Sequence, residues 1–143
     1  MSTGTEFVRQ WMDAFNRGDL EGLVAMCHPD VELSNPNGTF RGAEGIRETF
    51  KPLLDASTDR NVLITNVIEC GDTVVAEFVV RGTQDGPLAS PDGPAVPATG
   101  KTFNLPSIGV YDLRDGKLAA SRGEYDRMTL ALQLGLLGAP ASA

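Results

Sequence analysis

Two apolar runs, Lys101 to Arg114 and Lys117 to Tyr125, flank an Asp115-Gly116 pair. A two-residue type I′ turn needs positive φ at both central positions, and an Asp-Gly pair between alternating apolar segments meets that need better than almost any other dipeptide. This spacing predicts a long antiparallel hairpin late in the chain. The second run then passes at Asp126 into Met128, Leu130, Leu132 and Leu134, a short helix for which Asp126 is a natural N-cap. Helical spacing at the start of the chain completes the outline of an α+β fold. It is a cone-shaped barrel in which a curved, mostly antiparallel sheet wraps around N-terminal helices and encloses one internal pocket.

Upstream of the hairpin, Phe7, Val8, Trp11, Met12 and Phe15 follow helical periodicity, with Thr5 as cap and Gly18 as left-handed stop. Asp19 caps a second helix carrying Leu20, Leu23, Val24 and Cys27, which ends at His28-Pro29-Asp30. Val31 to Ser34 reads as a short strand running into an Asn35-Pro36-Asn37-Gly38 turn. A third helix spans Ala43 to about Leu54 and is distorted or shortened by Pro52. Strands follow from about Asp59 to Cys70 and from Thr73 to Thr83, joined at Gly71-Asp72. Four prolines and three glycines, the terminal Gly100 included, exclude a strand over Gln84 to Gly100. That stretch, 84–100, is a long loop at the pocket rim, either a lid or a connector.

A length of 143 residues suits a single domain over 1–143, large enough to bury roughly two-thirds of its unfolded surface. The net charge of −7 and the absence of a basic cluster argue against nucleic acid and anionic membranes as partners, and favour a small, weakly polar molecule. Cys27 and Cys70 lie in apolar contexts with only one histidine, His28, to join them, so two buried reduced thiols are expected rather than a disulfide or a metal site. No charged leader, apolar start or membrane-length apolar run is seen, so a cytoplasmic protein is expected.

The segments Trp11-Met12-Asp13-Ala14-Phe15-Asn16-Arg17-Gly18-Asp19-Leu20, His28-Pro29-Asp30-Val31, Arg41-Gly42, Gly86-Pro87-Leu88, Thr99-Gly100-Lys101 and Gln133-Leu134-Gly135, in that order, carry a family resemblance. The chain resembles the SnoaL-like polyketide cyclases and, within the same superfamily, limonene epoxide hydrolase and ketosteroid isomerase. The resemblance implies the fold more firmly than the reaction, since this fold hosts many chemistries. It also implies a homodimer, and a substrate of polyketide type with no cofactor.

Successive strand residues point to opposite faces. In the last strand Ser121, Gly123 and Tyr125 therefore share one face, and Arg122, Glu124 and Asp126 the other. The resemblance to limonene epoxide hydrolase makes the first set inward and places Gly123 where that enzyme has its catalytic aspartate. Phe78 and Val80 stand at its paired arginine and second aspartate. The ketosteroid isomerase Asp-Pro base corresponds to Asn35-Pro36, and an amide cannot take up a proton at neutral pH. The aspartate and histidine of the aromatic polyketide cyclases correspond to a stretch holding Ser121 and Gly123, while His28 reads as a solvated loop residue. The expected cavity is thus walled by Trp11, Phe15, Leu33, Phe78, Val80, Leu105 and Tyr125, with Asn35, Ser107 and Ser121 as neutral polar groups. Asn35 either donates into the pocket or stabilises its own turn. An acid enters only if a β-bulge turns Glu124 inward or if Asp126 serves catalysis instead of capping. Glu77 and Arg81 share the outer face and are expected to pair there.

A site of this composition moves protons poorly but can fold a flexible apolar substrate into one reactive geometry. The expected activity is cofactor-independent ring closure of cycloaddition type. Acid-base aldol cyclase, isomerase or epoxide hydrolase chemistry through Glu124 or Asp126, and a non-catalytic binding protein, are the alternatives.

Overall fold

The computed structural model describes residues 3–90 and 93–137. Helix α1 (Gly4–Arg17) buries Phe7, Val8, Trp11, Met12 and Phe15, the predicted stripe. Its cap is Thr3 rather than Thr5: the Thr3 side chain accepts from the Glu6 amide, while the Thr5 amide donates to Glu69. Gly18 closes the helix at φ 71°, and Asp19 caps α2 (Leu20–Ala25) by accepting from the Gly22 amide at 2.9 Å.

The next strand is longer than the apolar pattern suggests. Strand β1 (Cys27–Asn35) takes in His28, which was expected in a solvated loop but lies in the strand, with Nε2 against the Arg114 carbonyl. A short strand β2 (Gly38–Arg41) pairs back on it. Helix α3 (Gly42–Ala56) runs through Pro52 and continues a further turn, so the proline neither ends nor shortens it. The meander β3 (Asn61–Cys70), β4 (Thr73–Thr83), β5 (Thr102–Arg114) and β6 (Lys117–Tyr125) follows, and α4 (Arg127–Gln133) comes last. Asp115 and Gly116 both take positive φ, 53° and 76°, as the tight hairpin requires.

The six strands form one sheet in the order β2-β1-β6-β5-β4-β3. All neighbours are antiparallel except β1 and β6, which run parallel. The sheet curves without closing, leaving β2 and β3 as edges. Helices α1 and α3 cover its concave side over a core that includes Trp11, Leu23, Val31, Ile46, Val74 and Leu118.

Two surface expectations need correction. Cys27 is buried, and burial pushes its thiol up to about 12, but Cys70 is exposed at the end of β3. Cys70 is exposed because it closes the β3–β4 hairpin opposite Thr73, on the same face of β3 as the exposed Ile68. Glu77 does not pair with Arg81; a register shift between Ile64 and Asn66 brings Asn66 beside it, and Asn66 Nδ2 donates to Glu77 Oε1 at 3.0 Å. No described helix is long and apolar enough to cross a membrane.

Candidate functional site

The ladder registers fix which side chains look into the cone. Directly opposed residues of antiparallel strands share a face. Phe78 stands opposite Ser107, which stands opposite Tyr125; Ala76, Gly109 and Gly123 form the next row, and Val74, Tyr111 and Ser121 the one after. Tyr111 is buried against the helices, so all three rows face inward. Leu33, paired with Ser121 across the parallel ladder, extends the innermost row.

These rows, together with Trp11, Met12 and Phe15 of α1 and Thr49, Phe50, Leu53 and Ala56 of α3, enclose a cavity of about 180 Å³. Trp11 and Phe15 each meet the Phe50 ring edge-on, at centroid distances of 5.6 and 6.0 Å. Such aromatic packing gives the helical wall a fixed shape. Gln84, Leu88 and Phe103 line the open end, as do Leu130 and Leu134 of α4.

Trp11, Phe15, Leu33, Asn35, Phe78, Val80, Leu105, Ser107, Ser121, Gly123 and Tyr125 all line this cavity. Asn35 Oδ1 is occupied by its own turn, accepting from the Asn37 amide at 2.8 Å, and Asn37 Nδ2 reaches the Tyr125 hydroxyl at 3.4 Å. The Ser107 hydroxyl is spent locally on the Leu105 carbonyl. A Cβ built on Gly123 would meet nothing within 4 Å, so that position opens onto free space.

The two acids fall elsewhere. Asp126 is absent from the lining and caps α4: Oδ1 accepts from the Met128 and Thr129 amides, and Oδ2 from the Thr129 hydroxyl. The Thr129 hydroxyl, with the two amides, holds its carboxyl below the usual range, so at neutral pH it is an anion committed to the helix. Glu124 borders the cavity, but its side chain is exposed and it stands opposite the exposed Ile108. The bulge that would turn it inward does not occur there: the β5–β6 register is unbroken from Tyr125 to Ala120 and shifts only beyond Asp112. Arg122, on the same outer face, pairs with Asp112 at 2.9 Å.

Among the further lining residues, three carry polar groups that the sequence pattern did not single out. Arg60 lies over the Phe15 ring and donates to the Phe15 and Ser57 carbonyls, tying the end of α1 to the α3–β3 turn. Gln84 is 1% exposed although it opens the long loop. Its amide donates to the Gly86, Val96 and Pro97 carbonyls and accepts from the Thr99 amide and hydroxyl. Leu88 and Val96 bridge within the loop it holds, and Leu88 joins Gln84 in the cavity lining. Tyr111 is the third, and strand alternation from Leu105 and Ser107 would have found it. Nothing in the composition around Arg60 or Gln84 marks them.

Against known proteins, a SnoaL-like domain model matches residues 8–121. Aklanonic acid methyl ester cyclase DnrD of Streptomyces peucetius is 28% identical over 141 residues, covering 94% of this chain and 92% of that protein. TsrD of Streptomyces laurentii superposes with a TM-score of 0.80 at 28% identity, over 93% of this chain and 95% of that one. IdmH of Streptomyces antibioticus, a candidate polyketide cyclase, gives 0.77 at 26% identity, over 94% and 99%. A curved six-stranded sheet holding an apolar cavity, matched over most of its length by the family model, places this chain in the SnoaL-like domain family.

Proposed function

We propose that the protein is a cofactor-independent cyclase that closes a ring in a polyketide-like substrate by imposing shape on it. The carrying observation is the make-up of the cavity: its walls are mostly apolar, the Arg60 guanidinium that borders it is held on the Phe15 ring and on backbone carbonyls, and the nearest acids are turned out or spent on a cap. The cyclase relative DnrD supports ring closure as the reaction class. Holding a flexible chain in one near-reactive conformation is worth several kcal/mol of barrier, about 7–11 in the best-aligned intramolecular cases. Cycloaddition benefits most from such a site, because it needs alignment without proton transfer.

Kinetics of two acid variants test it. Glu124→Gln and Asp126→Asn are each expected to keep most of kcat/KM in a ring-closure assay with polyketide-like substrates. A positioned general acid or base contributes about 10²–10⁴-fold. A loss of that size in a folded variant would replace shape-driven closure with acid-base cyclase, isomerase or hydrolase chemistry.

The outer face of the sheet supports a homodimer as the working form. Leu63, Ile68 and Ile108 are 41%, 55% and 43% exposed there. They share the face of Val75, Glu77 and Val79. Ile108→Lys is expected to shift sedimentation velocity from dimer to monomer; a wild-type chain that sediments as a monomer at micromolar concentration would remove this reading.

A further inference from the structure

Tyr111 is the most deeply buried hydroxyl-bearing side chain lining the cavity among the described residues, and the proposed ring closure leaves it without a task. It is 6% exposed and lines the cavity from β5. Its ring leans along the strand over Gly109: a Cβ there would lie 2.6 Å from the Tyr111 hydroxyl and 2.8 Å from Cζ. Gly109 stands opposite Gly123, so a pair of glycines clears the floor on which this hydroxyl rests. The hydroxyl has no hydrogen-bond partner among the described residues, nor does that of Ser121, opposite Tyr111 in the register. A phenol can donate one hydrogen bond; no fully buried side-chain oxygen or nitrogen lacks a partner among the described residues, so this unpartnered hydroxyl keeps accessible surface on the cavity side, where a ligand can take that bond.

We propose that Tyr111 is the substrate-anchoring donor of this cavity, giving its hydroxyl hydrogen bond to a carbonyl oxygen of the substrate, so that the substrate class is a ketone, enone or quinone seated carbonyl-down over the Gly109–Gly123 pair. This rests on reading the cavity as a substrate site. Burial pushes the Tyr111 phenol well above its ordinary value, so it stays neutral and protonated throughout the working pH range and donates without giving up its proton. A neutral donor aimed at a carbonyl withdraws electron density from it. That bond strengthens as charge develops on the oxygen, whether the carbonyl activates a cycloaddition partner or accepts a carbon nucleophile.

The test compares 1-tetralone with tetralin, two rings of nearly equal shape of which only the first has a carbonyl. By titration calorimetry, Tyr111→Phe should weaken 1-tetralone about five- to tenfold and tetralin less than twofold, the size expected for one neutral hydrogen bond. In difference infrared spectra, the carbonyl stretch of bound 1-tetralone should lie to lower frequency in the wild type than in Tyr111→Phe. Gly109→Ala, whose new methyl displaces the hydroxyl, should reproduce the ketone-selective loss. Equal weakening of both ligands, an identical carbonyl band in the two proteins, or no binding of 1-tetralone to the wild type would each overturn the assignment. None of these readouts needs turnover. Ketone-selective binding in a protein that closes no ring would keep Tyr111 as anchor and remove the cyclase, and ring closure at full rate by Tyr111→Phe with unchanged ketone binding would do the reverse.

Discussion

Gly123→Asp is expected to lower stability by about 2–3 kcal/mol at neutral pH and to abolish binding of apolar ligands. The cost is not steric, because a Cβ at Gly123 meets nothing within 4 Å. It is the loss of hydration of a carboxylate among Phe78, Leu105 and their neighbours, with only neutral hydroxyls such as Ser121 close in the register. The pH dependence has a definite sign. Burial raises the folded pKa of the new Asp above its unfolded value near 3.9. The folded state therefore binds more protons between those two values, and stability falls as pH rises through them. The melting-temperature gap to wild type should be narrow near pH 4 and widest at pH 7. Glu124→Ala, on an exposed side chain, should change stability by no more than about 0.5 kcal/mol. If thermal scans and ligand titrations gave the reverse, with Gly123→Asp silent and Glu124→Ala inactive, the faces of β6 would be opposite to those described and an acid would stand in the cavity.

The second large effect is expected at Gln84. Gln84→Leu keeps approximate size but removes the hydrogen bonds that gather Gly86, Val96, Pro97 and Thr99 around one amide. Each bared group costs about 1–3 kcal/mol when it stays dry, and this segment is close enough to solvent for partial rehydration. A total loss of about 2–3 kcal/mol follows, seen as a melting temperature lower by roughly 10 °C. Amide exchange at Leu88 and Val96, which bond each other at 2.9 and 2.7 Å, should accelerate in the same variant. An unchanged melting temperature with unchanged exchange would mean that the loop is held by its other anchors, Gly86 to the Ala56 carbonyl and Asp85 to Thr58.

These two residues also mark what can be read from the chain and what cannot. Period-two alternation over a long strand is a strong signal, and it groups Ser121, Gly123 and Tyr125 on one face of β6. That this face is the inner one was implied only by the family resemblance, and the Asp115-Gly116 turn by itself would set Ser107 opposite Glu124, because the register shift beyond Asp112 that pairs Ser107 with Tyr125 leaves no mark in the sequence. Gln84 lacks any such signal. A polar residue entering a Pro- and Gly-rich stretch looks the same whether its amide meets water or three carbonyls, because its partners lie up to 15 residues on and converge only through the folded loop. Strand β2 is illegible for a related reason: four residues, Gly38–Arg41, show no period of their own and are strand only because β1 lies beside them. The Thr3 cap was misplaced by two residues, since Thr3 and Thr5 are equally good caps until Glu69 claims the Thr5 amide.

The single parallel pairing, β1 with β6, sets an order of events in folding. Cys27 and Leu118, or Leu33 and Ser121, come from opposite ends of the chain, whereas β3, β4, β5 and β6 are joined neighbour to neighbour. Closing a long chain segment costs entropy before any contact repays it, so non-local parallel pairing forms slowly. The meander can assemble first, and the wall carrying Leu33 and Asn35 is added only once the last strand exists. On the ribosome, the nascent chain therefore has no cavity to fill until β6 has emerged. A ligand present during synthesis acts only on the final docking step, and agents that trap exposed apolar surface should catch this protein as a half-built sheet.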